Sequence, residues 1–301
     1  MDNSMEKRFD EILHYFNDRL RSPLSRLSDE VKRCTQEIHL RRQGPLMIST
    51  HTANLFVCRN GKTCHEYPLD AVTCYPEELE QAFRAMCGYS VHTHQNEIKN
   101  GYIALQGGHR AGVAGTAVLE KDEPVTIRDV ASICLRVARQ VFGAADEVVS
   151  LFQKGIRGVL IAGPPASGKT TVLRDLTRQL SGGMLGECYR VSVVDERCEL
   201  SATYQGVAQN DLGYNCDVLC SMPKSIGILT AIRSLSPQVI VCDEVGGEEE
   251  ARAVTSALNA GVPVVASVHA STPQELIQRR PCRQLLQTGA FEEIVFLGTG
   301  E

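Results

Sequence analysis

"GPPASGKT", residues 163–170, is the stretch that decides the fold of this 301-residue chain. It matches the pattern G-x-x-x-x-G-K-[ST] without a gap, with an apolar run before it and an amphipathic segment from Lys169 after it. A strand, a glycine-rich loop and a helix in this order form a phosphate-binding loop, because the N–H groups of the loop and the positive end of the helix dipole face an anion. The sequence therefore predicts that this loop holds the phosphates of ATP.

Nucleotide contacts are predicted for the whole loop and the first turn of its helix. We expect the Lys169 ammonium to reach the β- and γ-phosphates and the Thr170 hydroxyl to ligate Mg²⁺, so ATP and Mg²⁺ are the predicted cofactors. The predicted nucleotide-binding residues are Gly163, Pro164, Pro165, Ala166, Ser167, Gly168, Lys169, Thr170 and Thr171.

An acidic pair ends a second apolar run, "VIVCDEVG", residues 239–246, which carries Asp243 and Glu244. The carboxyl ends of parallel strands meet at one edge of a sheet, where a phosphate-binding loop also lies. We therefore predict that Asp243 ligates Mg²⁺ and that Glu244 polarises the attacking water.

Another acidic pair, Asp195 and Glu196, follows the apolar run in "RVSVVDERCEL", residues 190–200. If this strand neighbours the strand of Asp243, we expect both carboxylates to face the same γ-phosphate. The alternative is a solvated strand end at which Asp195 forms a local pair with Arg197.

A further strand, "VVASVHAST", residues 264–272, ends in Ser267 and His269. A polar side chain at this position can sense whether the γ-phosphate is present, and it can equally be an ordinary strand-terminal histidine. The sequence alone leaves both interpretations of His269 open.

The order of these segments predicts two domains. From residue 156 onwards, short Val/Ile runs alternate with helical patterns, which indicates an α/β domain with a parallel sheet over residues 144–301. Residues 1–143 show short alternating runs between turns, together with helical patterns over 5–20 and 90–100, which predicts a smaller α+β domain and a linker.

Composition narrows the partners. The net charge is −5, from 36 acidic and 31 basic residues, so no nucleic-acid partner is expected. The start of the chain is charged and amphipathic, and the twelve cysteines include no C-x-x-C pair, so we expect reduced cytosolic thiols and no structural metal. No apolar run reaches the roughly 18 residues that span a bilayer, so a membrane role would be peripheral.

Taken in order, these motifs resemble the type II/IV secretion ATPase superfamily and, with "GYIALQGGHRAGVAGTAV" at 101–118 and "ASVHA" at 266–270, the stage III sporulation AA family. The resemblance implies a RecA-like P-loop NTPase core. It makes Lys169 and Thr170 the Walker A pair, Glu196 the Asp-box acid, Glu244 the Walker B acid and His269 the His-box residue.

The resemblance also implies arginines from the N-terminal domain or linker that reach the nucleotide, for which Arg110, Arg136 and Arg139 are the candidates. Ordinary ion pairing is the alternative for each of them. This chain departs from the wider superfamily in two expected features. It has no zinc-binding cysteine cluster, and it does not have the extended N-terminal region that members commonly carry.

For function, the resemblance implies an ATPase of endospore formation, assembled as a hexameric ring. It would lie in the cytoplasm, peripheral to the mother-cell membrane, and act on membrane proteins of a channel between mother cell and forespore. Two alternatives remain open, namely an ATP-dependent scaffold with negligible turnover and a nucleic-acid-dependent P-loop motor. The excess of acidic over basic residues disfavours the nucleic-acid-dependent motor.

Overall fold

The computed structural model of this chain describes residues 4–99, 101–120 and 123–298. It consists of two units, Met1–Arg139 and Gln140–Glu301. The assignment of residues 1–143 and 144–301 as domains stays a prediction.

The first unit is built on a seven-stranded antiparallel sheet in the order β4-β3-β2-β1-β7-β6-β5. Its strands are β1 (Glu37–Arg41), β2 (Met47–Ser49), β3 (Asn54–Val57), β4 (Thr63–Cys64), β5 (Tyr102–Ala104), β6 (Arg110–Glu120) and β7 (Glu123–Arg136). Its helices are α1 (Ser4–Glu11), α2 (Asp18–Ser25), α3 (Asp29–Cys34), α4 (Pro76–Met86) and α5 (Gln95–Lys99), with 3₁₀ turns at Leu13–Tyr15, Val91–His94 and Gln106–Gly108.

The burial pattern of strand β1 shows that one face of this sheet carries the core of the unit. Its side chains alternate, because successive residues of a strand point to opposite faces. Ile38 and Leu40 are fully buried in the core of the unit, whereas Glu37 and His39 are only half-buried and Arg41 is exposed. The polar side chains of β1 therefore share the face that does not carry the core.

The N-terminal helix predicted over residues 5–20 is interrupted. A 3₁₀ turn and an extended Phe16 separate α1 from α2. The Asn17 side chain accepts a hydrogen bond from Leu20 N–H and so caps a new helix. The apolar spacing predicted the buried face correctly but did not show this cap, which begins a second helix.

The helix predicted over residues 90–100 is divided in the same way, into the 3₁₀ turn Val91–His94 and the helix α5. Asn100, the last residue of that prediction, lies outside the described residues.

The second unit contains a six-stranded sheet in the order β10-β9-β11-β12-β8-β13, and every pairing in it is parallel. Its strands are β8 (Val159–Gly163), β9 (Val191–Asp195), β10 (Cys216–Cys220), β11 (Val239–Cys242), β12 (Val264–His269) and β13 (Glu293–Phe296). Its helices are α6 (Asp146–Val149), α7 (Lys169–Ser181), α8 (Lys224–Ser234), α9 (Glu248–Asn259), α10 (Pro273–Gln278) and α11 (Arg280–Gln287), with a 3₁₀ turn at Ser150–Phe152. The parallel sheet confirms the predicted α/β class.

Both faces of the parallel sheet are covered by helices. Val159 and Ile161 of β8 pack in a core that includes Leu173 of α7, whereas Leu160 packs on the opposite side in a core that includes Val254 of α9. The sheet is thus the middle of three layers. All its strands end at one edge, which is where the predicted site residues lie.

One pair of cysteines forms a disulfide, although the sequence predicted reduced thiols. Cys198, in the loop after β9, and Cys220, at the end of the neighbouring β10, form a disulfide with their Cα atoms 5.7 Å apart. The sequence did not show this pairing, because only the order of the strands brings the two residues together.

Among the residues described, no helix is both long and apolar enough to cross a membrane.

Candidate nucleotide and catalytic site

The phosphate-binding loop connects β8 to α7. Gly163 ends the strand, and a Cβ added there would lie 2.5 Å from Ser167 Oγ and 3.1 Å from Leu297 O, so no larger residue fits. Gly168 has a φ of 88°, in the left-handed region that glycine adopts without strain, and Lys169 begins the helix directly after it. Both glycines are therefore required by the turn itself.

Lys169 lies inside this loop. Its Nζ donates hydrogen bonds to Gly163 O at 3.0 Å and to Pro164 O at 2.7 Å. Burial lowers the pKa of Lys169, while the nearby charges of Glu244 and Asp243 act in the opposite direction. The ammonium is thus held beside the loop backbone and near two carboxylates.

The loop also fits the phosphates of a nucleotide. Ser167 Oγ is buried and has no hydrogen-bond partner. Ser167 lies in the loop, two residues before Lys169, the first residue of α7. A buried hydroxyl without a partner is costly unless a ligand or water satisfies it. A phosphate oxygen is a suitable acceptor for this group and for the N–H groups at the start of α7.

Thr170 and Asp243 join the loop to strand β11. Thr170 Oγ1 donates a hydrogen bond to Asp243 Oδ2 at 2.7 Å. The other carboxylate oxygen, Oδ1, accepts from Glu244 N–H at 2.9 Å and from the Ser267 hydroxyl. Hydroxyl and carboxylate oxygens are the ligands that Mg²⁺ prefers, so the predicted pair fits that ion.

Glu244 has the strained backbone that is typical of functional positions, with a φ of 43° in a residue other than glycine. His269 Nε2 donates to its Oε1 at 2.7 Å, and Arg197 Nη1 donates to its Oε2 at 3.2 Å. The backbone N–H of Glu244 also reaches Ser267 Oγ at 2.9 Å. The carboxylate is therefore held from two sides at the end of its strand.

The order of the strands places His269 beside the phosphate-binding loop and Glu244. Strand β12 lies between β11 and β8, and His269 is the registered partner of Gly163 at the start of the loop. Its Nδ1 is buried and has no hydrogen-bond partner, so only the Nε2 side is engaged, by Glu244. The histidine thus connects the loop strand to the acid of β11.

The second acidic pair is divided in two. Strands β9 and β11 are neighbours, as the prediction required. However, Asp195 is buried and its carboxylate accepts from Glu199 N–H at 2.8 Å and from Ser201 N–H and Oγ at 2.7 and 2.6 Å. Asp195 therefore organises its own loop, and it also lines a pocket together with Glu196, Asp243 and Glu244. The expectation that both carboxylates face a phosphate stays a prediction.

Glu196 lines the same pocket as Asp195, Asp243 and Glu244. Its Oε2 accepts a hydrogen bond from Lys224 Nζ at 2.8 Å. Burial disfavours the charge on Lys224, but the bond to Glu196 and the charges of Glu250 and Glu196 outweigh it and raise the Lys224 pKa. This lysine positions the predicted Asp-box acid.

Sequence reasoning missed Lys224. One signal was available, because this lysine is the first residue of α8, where a cation lies at the positive end of the helix dipole. An unfavourable position of this kind indicates that an anion elsewhere holds the side chain. The identity of that anion, Glu196, depended on the sheet order.

Two of the three candidate arginines face each other in the first unit. Arg110 of β6 is the registered partner of Arg136 of β7. Arg136 Nε donates to Glu37 Oε1 at 2.9 Å, and the Arg110 guanidinium lies 5.2 Å from the centre of the Tyr102 ring. Their predicted contacts with nucleotide stay predictions.

Arg139 has partners in the backbone of its own unit. Its Nη2 donates to Arg33 O at 2.9 Å and to Thr35 O at 2.8 Å, and burial lowers its pKa. These bonds give Arg139 a structural role near α3. Its predicted contact with nucleotide also stays a prediction.

Comparison with known proteins starts from sequence. Residues 5–301 match the family described as "Sporulation stage III, protein AA". Stage III sporulation protein AA of Bacillus subtilis (strain 168) is 32% identical over 289 residues, which cover 95% of this chain and 90% of that protein.

Solved structures with a similar fold include an ATPase and a pilus motor. The pilus retraction motor PilT, solved with bound ADP, has a TM-score of 0.56 at 15% identity, over 87% of this chain and 74% of its own. The ATPase DotB of Legionella pneumophila has a TM-score of 0.51 at 17% identity, over 85% of this chain and 70% of its own. These similarities confirm the predicted RecA-like fold.

Proposed function

The chain belongs to the sporulation stage III protein AA family, and from this we propose that it is an ATP hydrolase that acts in endospore formation. We further propose that it assembles as a hexameric ring and drives or assembles a membrane-embedded channel complex between mother cell and forespore. It would do so from the cytoplasmic side of the mother-cell membrane, without a nucleic-acid partner.

One observation carries the proposed activity. Hydrogen bonds link the loop helix to the residue of the proposed base: Thr170 and Ser267 each donate to Asp243, and the backbone N–H of Glu244 donates to Ser267. A protein that only binds ATP with Mg²⁺ needs the loop and Asp243, but no second carboxylate held beside them. This continuous connection supports hydrolysis over binding alone.

Each residue has a proposed role in hydrolysis. The loop N–H groups and Lys169 bind the phosphates, and Thr170 and Asp243 hold Mg²⁺, which neutralises phosphate charge. Glu244 accepts a proton from the attacking water as the water oxygen bonds to the γ-phosphorus and the bond to the β–γ bridging oxygen breaks. His269 orients the Glu244 carboxylate and does not itself take the proton.

Glu196 is the second candidate for the base, since it lines the same pocket and Lys224 fixes its position. In a ring, an arginine of the first unit of one chain can complete the site of its neighbour and stabilise the developing charge. Arg110 and Arg136 are proposed for this role before Arg139, because the latter has two backbone acceptors.

Substitution of the two acids distinguishes them. We expect Glu244→Gln to bind ATP within a few-fold of the wild type while turnover falls by about 10² or more, the usual contribution of a general base. The measurements are equilibrium binding of a fluorescent ATP analogue and release of phosphate under single-turnover conditions. Glu196→Gln is the matched control, because it makes the same change in the same pocket.

Two outcomes would change the proposal. Equal turnover in the wild type and Glu244→Gln, with loss in Glu196→Gln, would assign the base to Glu196. A wild type that binds ATP but releases no more phosphate than Lys169→Ala would support the ATP-dependent scaffold.

A further inference from the structure

Three side chains with different donor atoms lie together on the polar face of the antiparallel sheet. His39 of β1 is the registered partner of Cys134 of β7, and Glu37 precedes His39 by two residues, so all three point to the same face. One donor atom of each lies within 4.8 Å of the others. The cluster combines an imidazole, a thiol and a carboxylate.

This donor set is typical of zinc. Zn²⁺ binds cysteine sulfur, histidine nitrogen and carboxylate oxygen, and bond lengths of about 2.0–2.3 Å in a tetrahedron place ligand atoms about 3.3–3.8 Å apart. The atoms of the cluster are at most 4.8 Å apart, so rotations of side chains can close the remaining gap. None of the three is fully buried, which leaves room for water as a fourth ligand.

Neighbouring groups already orient two of the three side chains. Arg136 Nε donates to Glu37 Oε1 at 2.9 Å, so the other oxygen, Oε2, is directed towards His39 Nε2, 3.2 Å away. Ser49 Oγ lies 2.8 Å from the same ring nitrogen. The Arg136–Glu37 bond is an outer contact of the kind that fixes a metal ligand, whereas a zinc ion bound at His39 Nε2 would replace the Ser49 contact to that nitrogen.

We propose that Glu37, His39 and Cys134 bind one Zn²⁺ ion on the sheet of the first unit, with water as the fourth ligand. The ion links β1 to β7, which are adjacent strands near the middle of the sheet. The sequence did not show this site, because Cys134 is about a hundred residues from the other two ligands and only the β1–β7 register brings them together.

A rival site in the same unit is formed by thiols alone. Cys58 Sγ, directly after β3, and Cys64 Sγ of β4 lie 3.6 Å apart, and a thiophilic metal could bind there instead. Any test must therefore distinguish Cys134 from this pair.

The test uses cobalt as a spectroscopic probe in place of zinc. Full-length, tag-free, metal-stripped protein is titrated with Co²⁺ in a phosphine reductant, and the thiolate-to-cobalt charge-transfer absorption is recorded. We expect one equivalent of Co²⁺ to produce this band and one equivalent of Zn²⁺ to abolish it. We expect Cys134→Ser to lose the band and His39→Gln to weaken Co²⁺ binding at least tenfold. Cys64→Ser is the matched control, and we expect it to keep both the band and the Co²⁺ affinity of the wild type.

Three results would overturn the proposal. They are a wild type that gives no band at one equivalent, a Cys134→Ser protein that keeps the band, and loss of the band in Cys64→Ser alone. Far-UV circular dichroism of the metal-free variants shows whether each is folded. If Cys134→Ser does not fold, unchanged Co²⁺ affinity in His39→Gln is sufficient to reject the site.

Discussion

At the residue scale, the side chain that organises the proposed catalytic edge is Ser267. It is fully buried, donates to Asp243 and accepts from the N–H of Glu244. One hydroxyl thus positions the proposed magnesium ligand and the proposed base together. Its removal leaves the N–H of a strained residue without that partner.

We therefore expect Ser267→Ala to lower ATP turnover by about tenfold to a hundredfold, because a misplaced catalytic group loses rate steeply. We also expect a loss of about 1–3 kcal/mol in the free energy of unfolding, because the buried Asp243 carboxylate loses the hydrogen bond that the Ser267 hydroxyl donates. Phosphate release and urea unfolding measure the two effects.

The matched control is Ser192→Ala, which removes a buried hydroxyl that has no hydrogen-bond partner from the neighbouring β9. This variant should retain turnover. If Ser267→Ala and Ser192→Ala behave alike, Ser267 has no positioning role.

At the level of single residues, the sequence is most informative where a local motif carries the information. Lys169 and Thr170 were identified from eight consecutive letters, and the structure brings Thr170 onto Asp243. The sequence did not show that Asp195 also holds its own loop, because an acidic residue at a strand end looks the same in sequence with or without such contacts. Its acceptance of Ser201 N–H and Oγ depends on a loop conformation that letters alone do not give.

At the element scale, the sequence predicted the buried parallel strands best, since continuous Val/Ile runs are typical of strands that are covered on both faces. The long strand β7 was not recognised, because its polar and apolar residues do not alternate regularly. Irregularities in the pairing change its register with β6. Edge strand β10 was equally hidden, since its side chains are only partly buried.

An element-scale prediction concerns the turn before β6. Burial and the charges of Arg8 and His14 lower the pKa of His109 to about 4. Its Nδ1 accepts from Ala138 N–H at 2.9 Å, and Glu11 Oε2 lies 3.5 Å from its Nε2. The buried imidazole therefore resists protonation and stays neutral while the turn is folded.

Because the folded pKa lies below the unfolded value of about 6.5, the neutral imidazole contributes stability that is present above pH 6.5 and lost as the pH falls towards 4. We expect a loss of about 2 kcal/mol at pH 5 relative to pH 7. The measurement is urea unfolding of the wild type and His109→Asn, since asparagine keeps an acceptor but does not titrate. A difference between the two proteins that does not change with pH would contradict the assignment to His109.

At the scale of the whole molecule, the chain folds as two units, and its net charge of −5 gives no general attraction to nucleic acid. The parallel sheet brings the loop, Asp243, Glu244 and His269 to one edge from three strands. What the sequence could not predict at this scale is which chain supplies an arginine to which site, because that depends on assembly. The proposed ring therefore needs a measurement in which assembly is the variable.

The most direct test of the central claim is ATP hydrolysis by the purified chain, measured across a wide range of protein concentrations with Lys169→Ala as the blank. The account predicts turnover above the blank, with a specific activity that rises with concentration as neighbouring chains complete one another's sites. A specific activity above the blank that does not change with concentration would contradict the ring. Phosphate release equal to the blank at every concentration, by protein that binds ATP, would contradict hydrolysis itself.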